Sequence, residues 1–195
     1  MDLRAAWYSR IDVQATGYDM TMPALHNRWA KGIGFGLVLG VALCTLLSSC
    51  LSRGAPDLGD RALLFEIKSL EGEPYVFNPV SGKVHLLYFW ADWCPRCEDD
   101  FRLLEKMYQQ WSQQRDAPHF VAIDVGQTED HVRNFVRRMK TSFPIYMDHD
   151  GKVARSYGVK GLPTYFLIDG NGIIRHLILG WADEKTLLAA IAKIK

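Results

Sequence analysis

The chain has 195 residues, of which 48% are hydrophobic, and its 23 basic and 22 acidic residues leave a net charge of +1. This length accommodates one domain with its own core and a terminal appendage. No basic stripe indicates a nucleic-acid ligand, and no acidic tract predicts a disordered tail. The cysteines are too few for a scaffold held together by disulfides; they are Cys44, Cys50, Cys94 and Cys97.

Residues 1–31 are interpreted as an N-terminal extension without regular structure that ends in the basic start of an export signal. Arg28 and Lys31 precede residues 32–50, which carry no charge and have an apolar centre. A basic flank, an apolar centre and small residues at the end are typical of an export signal. The segment closes with Leu47-Ser48-Ser49-Cys50, which resembles a bacterial lipobox, and this predicts lipidation of Cys50.

An uncleaved transmembrane anchor is the alternative, because about 20 apolar residues can span a bilayer. A lipid on Cys50 would instead hold the protein at the membrane surface through its acyl chains. Both interpretations place the remaining chain outside the cytoplasm, since Arg28 and Lys31 favour the inner side.

Residues 51–60 predict a tether because small residues, Gly and Pro dominate there. Residues 61–195 have the pattern of a globular domain. Their first half predicts strands at Ala62–Ile67, Tyr75–Phe77 and Val84–Trp90, a helix after Cys97, and a buried strand at His119–Val125.

The second half predicts a helix at Glu129–Lys140, a strand at Pro144–Met147 and a short helix at Lys152–Tyr157. Two further strands flank Asp169-Gly170-Asn171-Gly172, a sequence typical of a hairpin turn, and a last helix begins near Asp183. Alternating strands and helices followed by a hairpin predict an α/β domain with a mixed sheet and helices on both faces.

Cys94 and Cys97 follow the apolar strand candidate directly, in Trp93-Cys94-Pro95-Arg96-Cys97. The pair is therefore expected in the first turn of a helix, where unpaired N–H groups and the helix dipole stabilise a thiolate. A spacing of three allows a disulfide, so the pair predicts thiol–disulfide exchange. A zinc site needs four ligands, and the sequence offers no second pair of cysteines or closely spaced histidines.

Three motifs resemble the thioredoxin superfamily, and in particular its membrane-anchored TlpA/ResA-like branch, over about residues 62–195. They are Phe89-Trp90-Ala91-Asp92-Trp93-Cys94-Pro95-Arg96-Cys97, Tyr157-Gly158-Val159-Lys160-Gly161-Leu162-Pro163-Thr164, and Phe166-Leu167-Ile168-Asp169 with its glycine turn. The resemblance implies a thioredoxin-like fold, a helix–strand insertion at about 127–150, and a cis Leu162–Pro163 bond beside the cysteines. A loop of that kind would expose backbone for an extended substrate segment.

In this interpretation Cys94 is the nucleophile and Cys97 the resolving thiol, with Trp93, Pro95, Arg96, Leu162 and Pro163 supporting the site. Arg96 either stabilises the thiolate or is a solvent-facing residue of little effect. The sequence departs from thioredoxin at Tyr88, where thioredoxin has a buried acidic residue. The proton of Cys97 is then left to water or to one of three neighbouring acids, Glu98, Asp99 and Asp100.

The resulting hypothesis is an extracytoplasmic, membrane-anchored thiol–disulfide oxidoreductase that acts on exported proteins without a cofactor or metal. The resemblance favours a reductant of the cytochrome c maturation type, recharged by a membrane-embedded electron donor. Arg96 leaves the oxidant direction open. Peroxiredoxin-type peroxidases and Cu(I)-binding chaperones share this fold, and both functions stay open for this sequence.

Overall fold

The computed structural model describes residues 54–194. The predicted export signal, the proposed lipidation at Cys50 and the first residues of the tether lie outside the described residues. None of the helices in the described part combines the length and the apolar character that crossing a membrane requires.

Seven strands and four helices form the domain. The strands are β1 (Phe65–Ser69), β2 (Pro74–Phe77), β3 (His85–Trp90), β4 (His119–Val125), β5 (Ile145–Asp148), β6 (Thr164–Ile168) and β7 (Ile174–Leu179). The helices are α1 (Pro95–Trp111), α2 (Glu129–Met139), α3 (Lys152–Ser156) and α4 (Glu184–Ala192).

All seven strands belong to one mixed sheet with the order β2-β1-β5-β4-β3-β6-β7. β3 pairs in parallel with β4 and antiparallel with β6, and β4 pairs in parallel with β5. The predicted mixed α/β fold is confirmed, as are α2 and β5 in the expected insertion. Every residue of the central strand β3 is buried, as expected for a strand covered on both faces.

The first strand was predicted at Ala62–Ile67 but begins at Phe65. The residues before it pair with the hairpin instead. Arg61 lies opposite Ile173 in an antiparallel arrangement, and the N–H of Ala62 donates to the carbonyl of Gly172. This apolar stretch is therefore divided between the hairpin turn and β1.

The residues of β3 alternate between two hydrophobic clusters, one on each face of the sheet. On one face Tyr88 and Trp90 pack with the cysteine pair and with Phe101 of α1. On the other, Phe89 packs with Phe166 and with Tyr157, which follows α3. Because successive side chains of a strand point to opposite faces, β3 anchors both halves of the core and ends directly at the cysteine loop.

Candidate active site

Cys94 and Cys97 form a disulfide at the start of α1, with their Cα atoms 5.3 Å apart. Cys94 occupies the N-cap position in an extended conformation, and Pro95 opens the helix. Proline suits this position because its fixed φ is helical and it has no N–H to leave unpaired. Both cysteines are buried; Cys94 keeps a 3% exposed fraction and Cys97 keeps none.

The Leu162–Pro163 peptide bond is cis, as the resemblance implied. Thr164, the next residue, pairs with Phe89 near the end of β3. The loop therefore lies at the same edge of the sheet as the cysteine loop. The hydroxyl of Thr164 donates to the carbonyl of Gly161 at 2.7 Å, and the Gly180 N–H donates to the carbonyl of Pro163 at 2.8 Å. These bonds tie the loop to its own strand and to the end of β7.

Exposed apolar side chains lie at this edge of the sheet. Trp93, directly before the first cysteine, is 67% exposed. Leu179 and Trp181, at and just beyond the end of β7, are also exposed. Large apolar side chains gathered at one edge are typical of a contact surface for another protein.

The segment before the cysteines is held by Gln127, which follows β4. The Asp92 N–H donates to Gln127 Oε1 at 2.8 Å, and Gln127 Nε2 donates back to the Asp92 carboxylate. His131 Nδ1 lies 3.6 Å from the other Asp92 oxygen. This reciprocal pair fastens the loop that carries Cys94 to the start of the inserted segment.

Asp100 lies one helical turn after Cys97 and is completely buried. The hydroxyl of Tyr88 donates to Asp100 Oδ2 at 3.4 Å, and Oδ1 has no hydrogen-bond partner within the described residues. Burial raises the pKa of Asp100 to about 6, while the hydroxyls of Tyr165 and Tyr88 act in the opposite direction. Residues three apart on a helix share a face, so this carboxyl lies on the same face of α1 as Cys97.

The other acids of the helix start differ from Asp100. Glu98 Oε1 accepts from Arg102 at 2.7 Å and Asp99 Oδ1 from the same guanidinium at 3.5 Å, both at the surface. Arg96 is exposed. Of the three acids that the sequence offered as partners for Cys97, the fold buries only Asp100.

Residues 58–177 match the model of the AhpC/TSA family. The chain belongs to this family. Similar relatives include the thiol-disulfide oxidoreductase ResA of Geobacillus thermodenitrificans, 32% identical over 143 residues, which are 73% of this chain and 81% of the relative. The protein of the same name from Halalkalibacterium halodurans is 33% identical over 143 residues, with 73% and 80% covered.

Solved structures of related proteins agree. A putative thiol:disulfide interchange protein DsbE from Chlorobium tepidum matches with a TM-score of 0.62 and 29% identity, over 70% of this chain and 99% of that one. StoA from Bacillus subtilis matches with a TM-score of 0.58 and 26% identity, over 69% and 98%. This AhpC/TSA-family chain is therefore a thiol–disulfide oxidoreductase with a thioredoxin-like fold.

A second buried carboxyl of this AhpC/TSA-family protein, Asp124, was missed by the sequence reasoning. It ends the buried part of β4, pairs in register with Trp90, and neither of its oxygens has a hydrogen-bond partner among residues 54–194. Burial raises the pKa of Asp124 to about 7, and the charges of Asp92 and Asp148 add to the rise. The sequence does contain a signal for Asp124, since it is an acidic residue within an otherwise apolar strand.

Between residues 54 and 194, no three His, Cys, Asp or Glu side chains are grouped so that they would hold an ion.

Proposed function

We propose that this enzyme reduces disulfides of exported proteins through Cys94 and Cys97, outside the cytoplasm and attached to a membrane. The carrying observation is the Cys94–Cys97 disulfide at the first turn of α1, in which Cys94 at the N-cap keeps a 3% exposed fraction and Cys97 is fully buried. That asymmetry assigns different roles to the two sulfurs.

Cys94 is the nucleophile in this proposal. Attack requires a thiolate, and the unpaired N–H groups at the helix start, together with the helix dipole, favour negative charge on Cys94. The Cys94 thiolate attacks one sulfur of a substrate disulfide. The substrate S–S bond breaks, a mixed disulfide forms on Cys94, and the other substrate sulfur leaves as a thiolate that takes a proton from water.

Cys97 then resolves the mixed disulfide. Its thiol gives a proton to the Asp100 carboxylate, and the resulting thiolate attacks Cys94 Sγ. The second substrate sulfur leaves and is protonated, so the substrate gains two electrons and the enzyme pair is oxidised to the disulfide. Asp100 serves as acceptor because Cys97 is fully buried, away from solvent water.

Substrate docking is assigned to the cis-proline loop and its apolar surroundings. We assign the backbone at Leu162 to pairing with an extended substrate segment, as in strand addition. Trp93 supplies exposed apolar area beside Cys94. Pro95 and Arg96 support the site from the helix start.

The reducing direction requires an electron donor, which we assign to a membrane-embedded partner. Cysteines that await haem attachment are the substrates we favour, and a lipid on Cys50 is the proposed anchor. Arg96 stabilises the Cys94 thiolate and so acts toward the oxidant direction. The reduction potential of the Cys94/Cys97 couple decides between the directions: a value near −270 mV indicates a reductant, and one near −120 mV an oxidant, as approximate reference points.

Trapping tests the two roles. Cys97→Ala is expected to accumulate mixed disulfides with exported proteins, because the Cys94 adduct is no longer resolved. Cys94→Ala is the matched control and should accumulate few, since Cys97 is buried. Equal trapping by both variants contradicts the assignment.

Three other outcomes would replace parts of the proposal. Peroxide consumption without turnover of any protein disulfide indicates a peroxidase. Stoichiometric Cu(I) binding by Cys94 and Cys97 with negligible reduction of insulin disulfides indicates a copper chaperone. A mature protein whose mass shows no lipid on Cys50 removes the lipid anchor and leaves the uncleaved N-terminal segment as the attachment.

A further inference from the structure

Three buried polar side chains meet behind the cysteine pair. Tyr88 of β3 and Tyr165 of β6 are directly opposite each other in the antiparallel register, and their ring centroids are 4.9 Å apart. Both tyrosines, like Asp100 of α1, are fully buried. The group therefore links the neighbouring strands β3 and β6 to the helix that carries Cys97.

The surroundings of Asp100 are unfavourable to a charge. Phe101 and Phe120 pack against the Tyr88 ring, with centroids at 6.0 and 6.4 Å. Burying a carboxylate is costly unless hydrogen bonds compensate it. In the described part of the chain, the hydroxyl of Tyr88 is the donor that reaches Asp100. The Tyr165 hydroxyl, like Asp100 Oδ1, is buried without a hydrogen-bond partner within the described residues, and it acts to lower the Asp100 pKa.

We propose that Tyr88 and Tyr165 are positioning residues, whose hydroxyl groups hold the buried Asp100 carboxylate in its ionised form so that it can accept the proton of Cys97. This inference rests on the proposed proton transfer from Cys97 to Asp100. It gives Tyr88, where the sequence departs from thioredoxin, a definite task.

Burial affects the pKa of Asp100 more strongly than the neighbouring hydroxyls and charges do. Burial is the largest influence and raises its pKa; the hydroxyls of Tyr165 and Tyr88 lower it, the neighbouring Asp99 raises it, and Arg96 lowers it. The tyrosines thus keep the pKa of the carboxyl near the neutral pH range, where a group both accepts and releases a proton. Without their hydroxyls, fewer contacts would oppose the effect of burial. The pKa of Asp100 would then rise, and the carboxyl would stay protonated up to a higher pH.

The experiment follows Cys97 in a single turnover of the reduced full-length protein. Reaction with a symmetric aromatic disulfide, 5,5′-dithiobis(2-nitrobenzoate), releases one coloured thiolate when Cys94 attacks and a second when Cys97 resolves the adduct. The rate of the second release is measured from pH 5 to pH 9. The variants are Tyr88→Phe and Tyr165→Phe, which keep the rings and remove only the hydroxyls.

Each variant is expected to shift the pH midpoint of the second release upward by about one unit, which is a tenfold change in the proton affinity of Asp100. With the Asp100 pKa at about 6 in the parent protein, the rate at pH 6 falls about fivefold and is nearly restored at pH 8. A merely structural role would not produce recovery at high pH.

Tyr157→Phe is the matched control. Tyr157 is also a buried tyrosine with a bonded hydroxyl, which donates to the Leu63 carbonyl at 2.7 Å, but it belongs to the cluster on the other face of the sheet. Its midpoint should equal that of the parent protein. A shift as large in Tyr157→Phe as in Tyr88→Phe would overturn the inference, because the effect would then follow from any buried hydroxyl.

Asp100→Asn separates the possible failures. If it leaves the second release and its pH profile unchanged, Asp100 is not the acceptor, and both the proton route and the inference fail. If it abolishes the pH dependence while the two tyrosine variants retain the parent midpoint, only the inference fails. If no second release occurs in the parent protein, the assignment of Cys97 as the resolving thiol fails first.

Infrared spectroscopy of the oxidised protein gives a readout without turnover. The band of the protonated Asp100 carboxyl is identified as the band that Asp100→Asn removes, and its midpoint is followed with pH. An upward shift in Tyr88→Phe and Tyr165→Phe supports the inference. An unchanged midpoint in both overturns it, even if the rates fall.

Discussion

Replacing Asp124 by Asn should change how the stability of the oxidised protein depends on pH. The folded protein raises the pKa of Asp124 to about 7, chiefly through burial, whereas an unfolded aspartate titrates near 3.9. Between these values the native state holds a proton that the unfolded state has released. Stability therefore falls as pH rises through this window, and the amide of Asn removes the effect.

The magnitude follows from the width of the window. Each pKa unit corresponds to about 1.4 kcal/mol, and roughly two units separate pH 5 from the folded pKa of about 7. The free energy of unfolding of Asp124→Asn minus that of the parent protein should thus be about 3 kcal/mol larger at pH 8 than at pH 5, so the variant gains relative stability as pH rises. A constant offset from the new amide cancels in this comparison.

Urea unfolding followed by circular dichroism at pH 5, 6, 7 and 8 measures the difference. Asp116→Asn removes one carboxyl from the exposed surface and serves as the control for net charge. Asp100, which is also buried, contributes equally to both proteins and cancels. Parallel pH profiles for Asp124→Asn and the parent protein would refute the reasoning, because they would mean that Asp124 is ionised at no cost in the folded state.

Three further changes probe other parts of the domain. Burial, and then the neighbouring His119, lower the pKa of His85 to about 4. The folded protein is therefore expected to lose stability as pH drops from 6.5 toward 4, because the unfolded state takes up the proton first. In urea unfolding, His85→Asn should reduce this acid-side loss by up to about 3 kcal/mol. Gln127→Ala removes both hydrogen bonds to Asp92 and should speed hydrogen exchange of the Asp92 amide. An unchanged exchange rate would mean that Gln127 does not hold the loop that carries Cys94. Asp183→Ala removes the N-cap bond to the Thr186 N–H and should lower the melting temperature, because the helix loses its N-cap side chain; equal melting temperatures would count against this.

The sequence predicted most of the sheet because strand periodicity and turn residues are local signals. β4 has the predicted bounds, and the cysteine pair follows β3 as expected from its apolar run. β1 begins three residues later than predicted because the bonds of Arg61 and Ala62 go to a hairpin more than 100 residues away. A local pattern carries no information on such a pairing.

The buried carboxyls were harder to predict because their environment comes from distant segments. Glu98, Asp99 and Asp100 look alike as an acidic run at a helix start. Only the helical phase separates them: Asp100 continues the buried face of α1 between Cys97 and Leu104. The contact of Tyr88 with Asp100 was equally hidden, since the hydroxyl meets the carboxyl only when α1 packs on β3.

The inserted segment has a consequence for any attempt to shorten this protein. β5 lies between β1 and β4, and the hairpin of β1 and β2 joins the rest of the sheet through β5. Trimming residues 127–150 would leave that hairpin without a neighbour to pair with and uncover the flank of β4. A miniaturised version would have to retain the inserted strand, or else discard the hairpin together with it.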